Sequence, residues 1–332
     1  MAHELEIKKG AASMFYVGEV PWHGLRTQLA EPATAAEAIR LANLDWRVKK
    51  VPLFVQQENV TLRVPSSYAV VRSDMWGKPK CPVLGLVGET YTPLQNVDAF
   101  RFFDPIVGDD AAVYHTAGVL RHGERTWILA KLPNDIIVKG DDIAEKFLLL
   151  SNSHDGKSSV QVKFTPIRVV CQNTLTMALS QGRTIRVSHT KDMAQRLHHA
   201  RKLLGIIDKQ YDDIGMTFQR MCRLELNQAG VDAYFQAVYP DPMDEADETG
   251  RRRAQQNRFW AEVFFDEGKG NRAPGVHGTL WAAYNGVTEL VDHRKTKQDD
   301  DRRLNSIWFG DGYLVKARAY RIAKELLQQL AT

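Results

Sequence analysis

The spacing of apolar residues changes once along this chain, and that change limits the fold more than any other feature. From residue 46 to residue 164, apolar side chains recur at every second position or in short runs bounded by turn residues. Val48, Val51, Leu53 and Val55 are followed by Val60, Leu62 and Val64, and Val83–Val87 forms another short run. Two hairpins come next. One joins Ala112–Arg121 to Thr126–Leu132 across His122-Gly123-Glu124, and the other joins Lys146–Ser151 to Ser159–Phe164 across Asn152-Ser153-His154-Asp155-Gly156. Asp-Gly is a strong tight-turn signal. Beyond Thr165 the helical period takes over. Strands first and helices second is the pattern of an α+β fold, not of alternating βαβ units.

The expected architecture is therefore antiparallel hairpins in the N-terminal half and a helical C-terminal half. Residues 1–190 would form an α+β core and 191–332 a helical region. Short elements flank the sheet: a strand at Met14–Val17, a helix opened by the capping box of Thr34 and Glu37, and a helix capped by Asn96. Thr165-Pro166 reads as a helix start, with the helix running to Ser180. Met193, Leu197, Ala200, Leu204, Ile207, Tyr211, Ile214 and Phe218 then alternate four and three residues apart, the stripe of a long helix packed along another. Gly205 and Gly215 are weak points in that rod, at about 1 kcal/mol each. Helices are also expected at 254–266, 276–293 and 312–330. The charged stretch 240–257, with Asp241, Asp244, Glu245 and Arg251-Arg252-Arg253, reads as a flexible insertion.

Composition adds exclusions. The 332 residues are 44% hydrophobic and 25% charged, an ordinary globular balance. No run of about 18 apolar residues exists, so no membrane partner is expected, and the polar start lacks a signal-peptide pattern. The three cysteines, Cys81, Cys171 and Cys222, are far apart and form no CxxC pair, which fits a cytoplasmic protein. P-loop, GxGxxG, HExxH and GxSxG signatures are all absent.

Two groups of residues could carry chemistry. The first is cationic. Lys157, Lys163 and Arg168 lead into Arg183, Arg186, Lys191, Arg196, Arg201 and Lys202, and Asp192 is the one acid between 183 and 202. With the heptad stripe turned inward, these charges face elsewhere and suit a phosphate backbone. The second group is polar: Asn152, His154, Asp155, Gln172 and Asn173, with Arg168 and Gln172 on one face if 165–180 is helical. A metal would need the helix residues Glu289, Asp292 and His293 to meet His154 and Asp155, since a carboxylate and an imidazole on one helix face cannot complete a shell alone. No cofactor is otherwise required.

Several blocks together carry a family resemblance. They are Pro21-Trp22-His23-Gly24, Tyr91-Thr92-Pro93-Leu94-Gln95-Asn96, Leu149–Gly156, Phe164–Leu175 and Asn285–His293. In order and spacing they resemble the phage/plasmid-like family, domain of unknown function 932. The resemblance implies a mobile-element setting, with DNA metabolism or evasion of host defence as the theatre. Two hairpins feeding a helix also resemble, at fold level, the single-strand annealing recombinases, which are oligomeric and bind single-stranded DNA in a basic groove.

The leading expectation is a homo-oligomeric DNA-binding protein of a mobile element, favouring single strands and acting in recombination. The alternatives are a metal-dependent nuclease or hydrolase, and an interaction factor that blocks host defence, self-associating through the helix at 191–221.

Overall fold

A computed structural model describes residues 7–8, 11–12, 14–17, 27–29, 34–103, 113–168, 173–174, 185–193, 195, 207–244, 246–294 and 306–329, the first four stretches as backbone only. The chain forms two compact units, each drawn from three separate stretches. The first unit takes residues 1–133, 147–164 and 184–205, and the second takes 134–146, 165–183 and 206–332.

The first unit is built on a sheet in the order β4-β3-β8-β9-β11-β12, with β14 also on β12. These strands are β3 (Met14–Val17), β4 (Thr27–Leu29), β8 (Val113–Leu120), β9 (Arg125–Lys131), β11 (Asp142–Ser153), β12 (Val160–Arg168) and β14 (Ile185–Val187). β3 and β4 are parallel, while β8–β9, β9–β11 and β12–β14 are antiparallel. From Phe147 to Ser153 every residue of β11 is buried, so this strand is covered on both faces. Two short helices flank the sheet: α1 (Ala35–Leu41) and α2 (Asn96–Arg101), which brings Phe100. The capping box at the start of α1 is present, with Glu37 N donating to Thr34 Oγ1 at 3.3 Å and Thr34 N to Glu37 Oε2 at 3.0 Å. Tyr114 packs against Phe100 and Phe103 and donates its hydroxyl to the Phe100 carbonyl at 3.0 Å.

A separate sheet in this unit has the order β5-β6-β7, all antiparallel: β5 (Val48–Gln57), β6 (Val60–Arg72) and β7 (Val83–Gly88). A minor ribbon pairs β1 (Ile7–Lys8) with β2 (Ala11–Ala12). The expected strands and both expected hairpins are thus present. Asn96, however, is not the cap of α2. Gln95 holds that position, and its amide instead clamps β5, accepting from Val48 N at 3.0 Å and donating to Val48 O at 3.2 Å.

The second unit is mainly helical: α3 (Ile207–Arg223), α4 (Gln228–Val238), α5 (Glu248–Glu267), α6 (Leu280–Glu289) and α7 (Asp311–Gln329). Its core is α6, buried at every residue from Leu280 to Thr288. Trp281 and Tyr284 stack into Phe218 of α3 and Tyr320 of α7. Gly286 sits where α5 crosses: a Cβ there would lie 2.6 Å from the Ala261 carbonyl oxygen. A small hairpin joins this unit, β10 (Ile136–Lys139) against the start of β11. Asp142 accepts the Trp281 indole N–H at 2.8 Å, and Gln219 donates to the Ile137 carbonyl at 2.9 Å.

The structure differs from two sequence expectations. Thr165-Pro166 does not start a helix: β12 runs on to Arg168 and pairs with β13 (Asn173–Thr174) in the register Ile167↔Thr174 and Arg168↔Asn173. The alternation Val160, Val162, Phe164 carries the strand past the proline, and strand pairing outweighs the local helix signal. Arg168 is therefore on a strand, and Gln172 lies outside the described residues, as do 169–171. Residues 175–184 lie outside the described residues, as do 194 and 196–206. Within α3, Tyr211, Ile214 and Phe218 of the heptad stripe are buried in this unit's own core, against β10, α6 and α7. Lastly, the stretch 240–257 is in part regular helix, since α5 begins at Glu248. Asp247 caps α5 by accepting from Gly250 N at 2.8 Å, and Arg258 ties the preceding loop to it through Asp241 at 2.9 Å and the Tyr239 carbonyl at 2.8 Å. Arg252 pairs along the helix with Glu248 at 3.6 Å, so the basic run is a solvated helix face.

Candidate functional site

The polar residues singled out by type converge in the first unit, but as a closed network. The turn after β11 places Ser153, His154 and Asp155 against β7. A Cβ on Gly85 would lie 2.4 Å from the Asp155 carbonyl oxygen, and one on Gly156 would lie 2.8 Å from Val87 Cγ1. Gly156 also holds φ +74, which glycine adopts without the cost other residues meet. Asp155 Oδ1 accepts from the Ser153 hydroxyl and, at 2.9 Å, from Lys157 N, completing the turn locally.

His154 is the centre of the network and is wholly buried. Its Nε2 lies 3.0 Å from Asn96 Oδ1 and 3.3 Å from Asn152 Nδ2. Backbone carbonyls orient both amides: Asn96 Nδ2 donates to Trp46 O at 3.1 Å and Asn152 Nδ2 to Leu94 O at 3.1 Å. Asn96 Oδ1 can only accept, so Nε2 carries the proton and the Asn152 contact is a close approach without a bond. Among the described residues, His154 Nδ1, Asn152 Oδ1 and His189 Nε2 are buried without a hydrogen-bond partner. Burial, then the nearby His189 and Arg72, push the His154 imidazole down to about 3. It is neutral at neutral pH and has no route to act as an acid or base there.

Tyr91 and His189 close the other side. Tyr91 stacks on His189 at 4.7 Å and donates to the Ser153 carbonyl at 2.9 Å. His189 Nδ1 contacts Thr92 O at 3.2 Å, and Thr92 N returns a bond to His189 O at 2.9 Å. Burial, and then the charge of Asp155, raise the Tyr91 hydroxyl well above its ordinary range. Burial lowers His189, against the pull of the Thr92 bond and Asp155. Asn152, His154 and Asp155 thus brace three distant stretches of chain. Tyr91, Asn96 and His189 complete the network and were missed as partners, although Tyr91 and Asn96 lie within a block already noted. Asn173 belongs to the second unit, and Gln172 lies outside the described residues.

The cations divide differently. Along β12, Val160, Val162 and Phe164 are buried while Gln161 and Lys163 point to the opposite, partly open face. β14 lies alongside in the register Gln161↔Arg186 and Val162↔Ile185. Lys163 is pushed down to about 8, first by burial, then by Arg186 and then by Arg125 of β9. Three cations from three strands therefore share one neighbourhood. Lys157, Arg186 and Lys191 are exposed in the same unit. Arg168 lies in the second unit at the end of β12, and Arg183, Arg196, Arg201 and Lys202 lie outside the described residues. Arg125 was not anticipated, because it comes from the neighbouring hairpin.

The metal candidates are otherwise engaged. Asp292 accepts from Lys316 at 2.8 Å in a fully buried ion pair. Glu289 accepts from Lys269 N at 3.1 Å. Both belong to the second unit, as does His293, whereas His154 and Asp155 belong to the first. Among the described residues, no group of three or more His, Cys, Asp or Glu side chains is arranged to hold a metal ion.

A largely antiparallel sheet with a cationic strand face, a buried polar brace at its hairpin and a mainly helical second unit define an α+β protein. The chain belongs to the family described as Domain of unknown function (DUF932), whose pattern matches residues 83–308. It is 36% identical over 90 residues to UPF0380 protein YfjQ of Escherichia coli (strain K12) and 37% identical over 87 residues to UPF0380 protein YafZ of the same strain. These stretches are 27% and 26% of this chain and 32% and 31% of the two relatives, so the similarity spans about a third of their length. No solved structure matches the chain. No helix among the described residues is long and apolar enough to cross a membrane.

Proposed function

We propose that this is a DNA-binding protein of a mobile element that holds single-stranded DNA along the cationic face of β9, β12 and β14. One observation supports the reading above the rest: Lys163 is partly buried on β12, and burial first, then the charges of Arg186 and Arg125, disfavour its charged form. Cations gathered on one sheet face favour the approach of an anion. A phosphate placed among them converts mutual repulsion into attraction and restores the lysine's proton. Lys157 and Lys191 extend the charge along the same unit. The similarity to a phage/plasmid-like family supplies the setting, and single-strand annealing during recombination is the activity that fits both.

Binding of a fluorescent oligonucleotide over a series of salt concentrations tests this. Each phosphate neutralised on a single strand contributes about −0.7 to the log–log salt slope. Arg125, Lys157, Lys163 and Arg186 together should give a slope of about −3, and Lys163→Ala or Arg186→Ala should each remove about 0.7 of it. Absence of binding at low salt, or a slope that neither substitution changes, rejects the proposal.

A further inference from the structure

The loop between β6 and β7 holds an indole out in solvent. Trp76 is 53% exposed, and Gly77, Lys78, Pro79 and Lys80 after it are exposed as well. The backbone of this loop is nevertheless tightly bonded. Ser73 N donates to Arg47 O at 2.7 Å, and Arg47 N to Ser73 Oγ at 3.0 Å. Lys78 N then donates to Met75 O at 3.0 Å, and Cys81 N to Lys78 O at 3.1 Å. Gly77 has φ +79, the value that the third residue of a type II turn requires. Trp76 is the second residue of that turn and stands at its crest. A single exposed apolar side chain is ordinary on a protein surface. What sets Trp76 apart is the charge around it.

From Met75 to Gly88 the chain carries two cations, Lys78 and Lys80, and no acid. The loop is anchored beside the cations invoked above. Buried Arg72 lies over the Trp46 ring at 4.3 Å, grips Asp74 through bonds of 3.0 and 2.9 Å, and donates to the His122 carbonyl at 3.1 Å. His122 belongs to the β8–β9 turn, which leads directly into Arg125. The Glu124 carbonyl of the same turn accepts from His154 N at 2.8 Å, and this joins the β11–β12 turn with its exposed Lys157. Three loops thus bring Trp76, Lys78, Lys80, Arg125 and Lys157 to one end of the first unit. The acids of these loops are engaged: Asp74 by Arg72, Glu124 by Arg121 at 2.7 Å, and Asp155 within its own turn.

We propose that Trp76 stacks on an unpaired base of single-stranded DNA while Lys78 and Lys80 hold the flanking phosphates, an inference that rests on the DNA-binding reading above. Cations alone do not choose between strand types, because single strands and duplexes both present phosphates. An exposed indole does choose. In a duplex the base faces are covered by their neighbours, whereas a single strand can turn one outward. The preference for single strands is thereby assigned to Trp76, and the phosphate attraction to the cations. Every base has a π-face, so such a contact tolerates any sequence, as a protein that anneals strands requires.

Titration of the full-length protein with fluorescent single-stranded and duplex oligonucleotides, over a series of salt concentrations, tests this. Trp76→Ala should weaken single-strand binding roughly 5- to 100-fold and leave both the salt slope and duplex binding unchanged. Trp76→Phe keeps an aromatic face and should retain most of the affinity. Lys78→Ala should reduce the magnitude of the salt slope by about 0.7. Saturating single strand should quench tryptophan emission of the native protein, and less so in Trp76→Phe. Single-strand affinity unchanged in Trp76→Ala overturns the proposal, as does an equal loss on both oligonucleotides. In either case the DNA-binding reading stands if Lys163→Ala still lowers the slope. Absence of binding by the native protein at low salt overturns both.

Discussion

His154 and Asp292 stand for two ways in which a charged residue type is spent on structure. His154 is buried as a neutral ring pushed down to about 3, His115 is half-buried and pushed down to about 4, and His189 is also lowered. In the unfolded chain each would take a proton near the usual 6.5. The unfolded state thus binds more protons below that value, and the stability these rings contribute is present above it and lost as pH falls towards 4. The unfolding free energy from urea titrations should drop from pH 7 to pH 5, by up to about 1.4 kcal/mol per pH unit for each histidine, lowering the midpoint, and His154→Gln should flatten the dependence by one proton. A midpoint unchanged over that range would contradict the described network. Asp292 is the opposite case, a buried charge kept by its partner Lys316. Removing one partner strands the other: Asp292→Ala should cost about 3–5 kcal/mol in chemical denaturation. The paired change Asp292→Leu/Lys316→Met should recover most of that loss, since a buried ion pair adds little over apolar packing.

At the scale of elements, local signals were legible where local physics decides. Thr34 and Glu37 announce a helix start because the capping box lies within four residues, and the α3 stripe of Tyr211, Ile214 and Phe218 is buried as its spacing implies. Thr165-Pro166 misled because strand register, a long-range property, overrides a two-residue helix signal. The same limit applies to the site. Asn152, His154 and Asp155 stand out by residue type, but His154 meets Asn96 58 residues away, and nothing in local spacing announces that contact. Arg125 joins Lys163 only once neighbouring strands align. Close crossings are equally silent in sequence and make a test. Gly286→Ala should force α5 and α6 apart and cost about 1–3 kcal/mol, read as a lowered melting temperature. Gly88→Ala, with nothing within 4 Å of the added carbon, is its matched control and should leave the melting temperature nearly unchanged.

For the molecule as a whole, the order of the chain matters more than its length. Each unit is assembled from three stretches, so neither can be excised as one continuous piece. A fragment of residues 206–332 keeps five helices but loses the β10 hairpin, and with it the Asp142–Trp281 and Ile137–Gln219 bonds. It should bind a hydrophobic dye and be cut rapidly by protease, whereas the full chain should resist both. A compact, protease-resistant fragment would show that the hairpin is dispensable to that core.

Lys163 has one more consequence, a chemical one. An amine at about 8 is about one-tenth deprotonated at pH 7, against well under one-thousandth for an ordinary lysine. The neutral amine is the nucleophile. Among the chain's lysines it should therefore be acylated early by a limiting dose of an activated ester, and peptide mapping would reveal it. The reaction reports directly on that surface: a bound polyanion returns the proton, and the residue falls silent to the reagent.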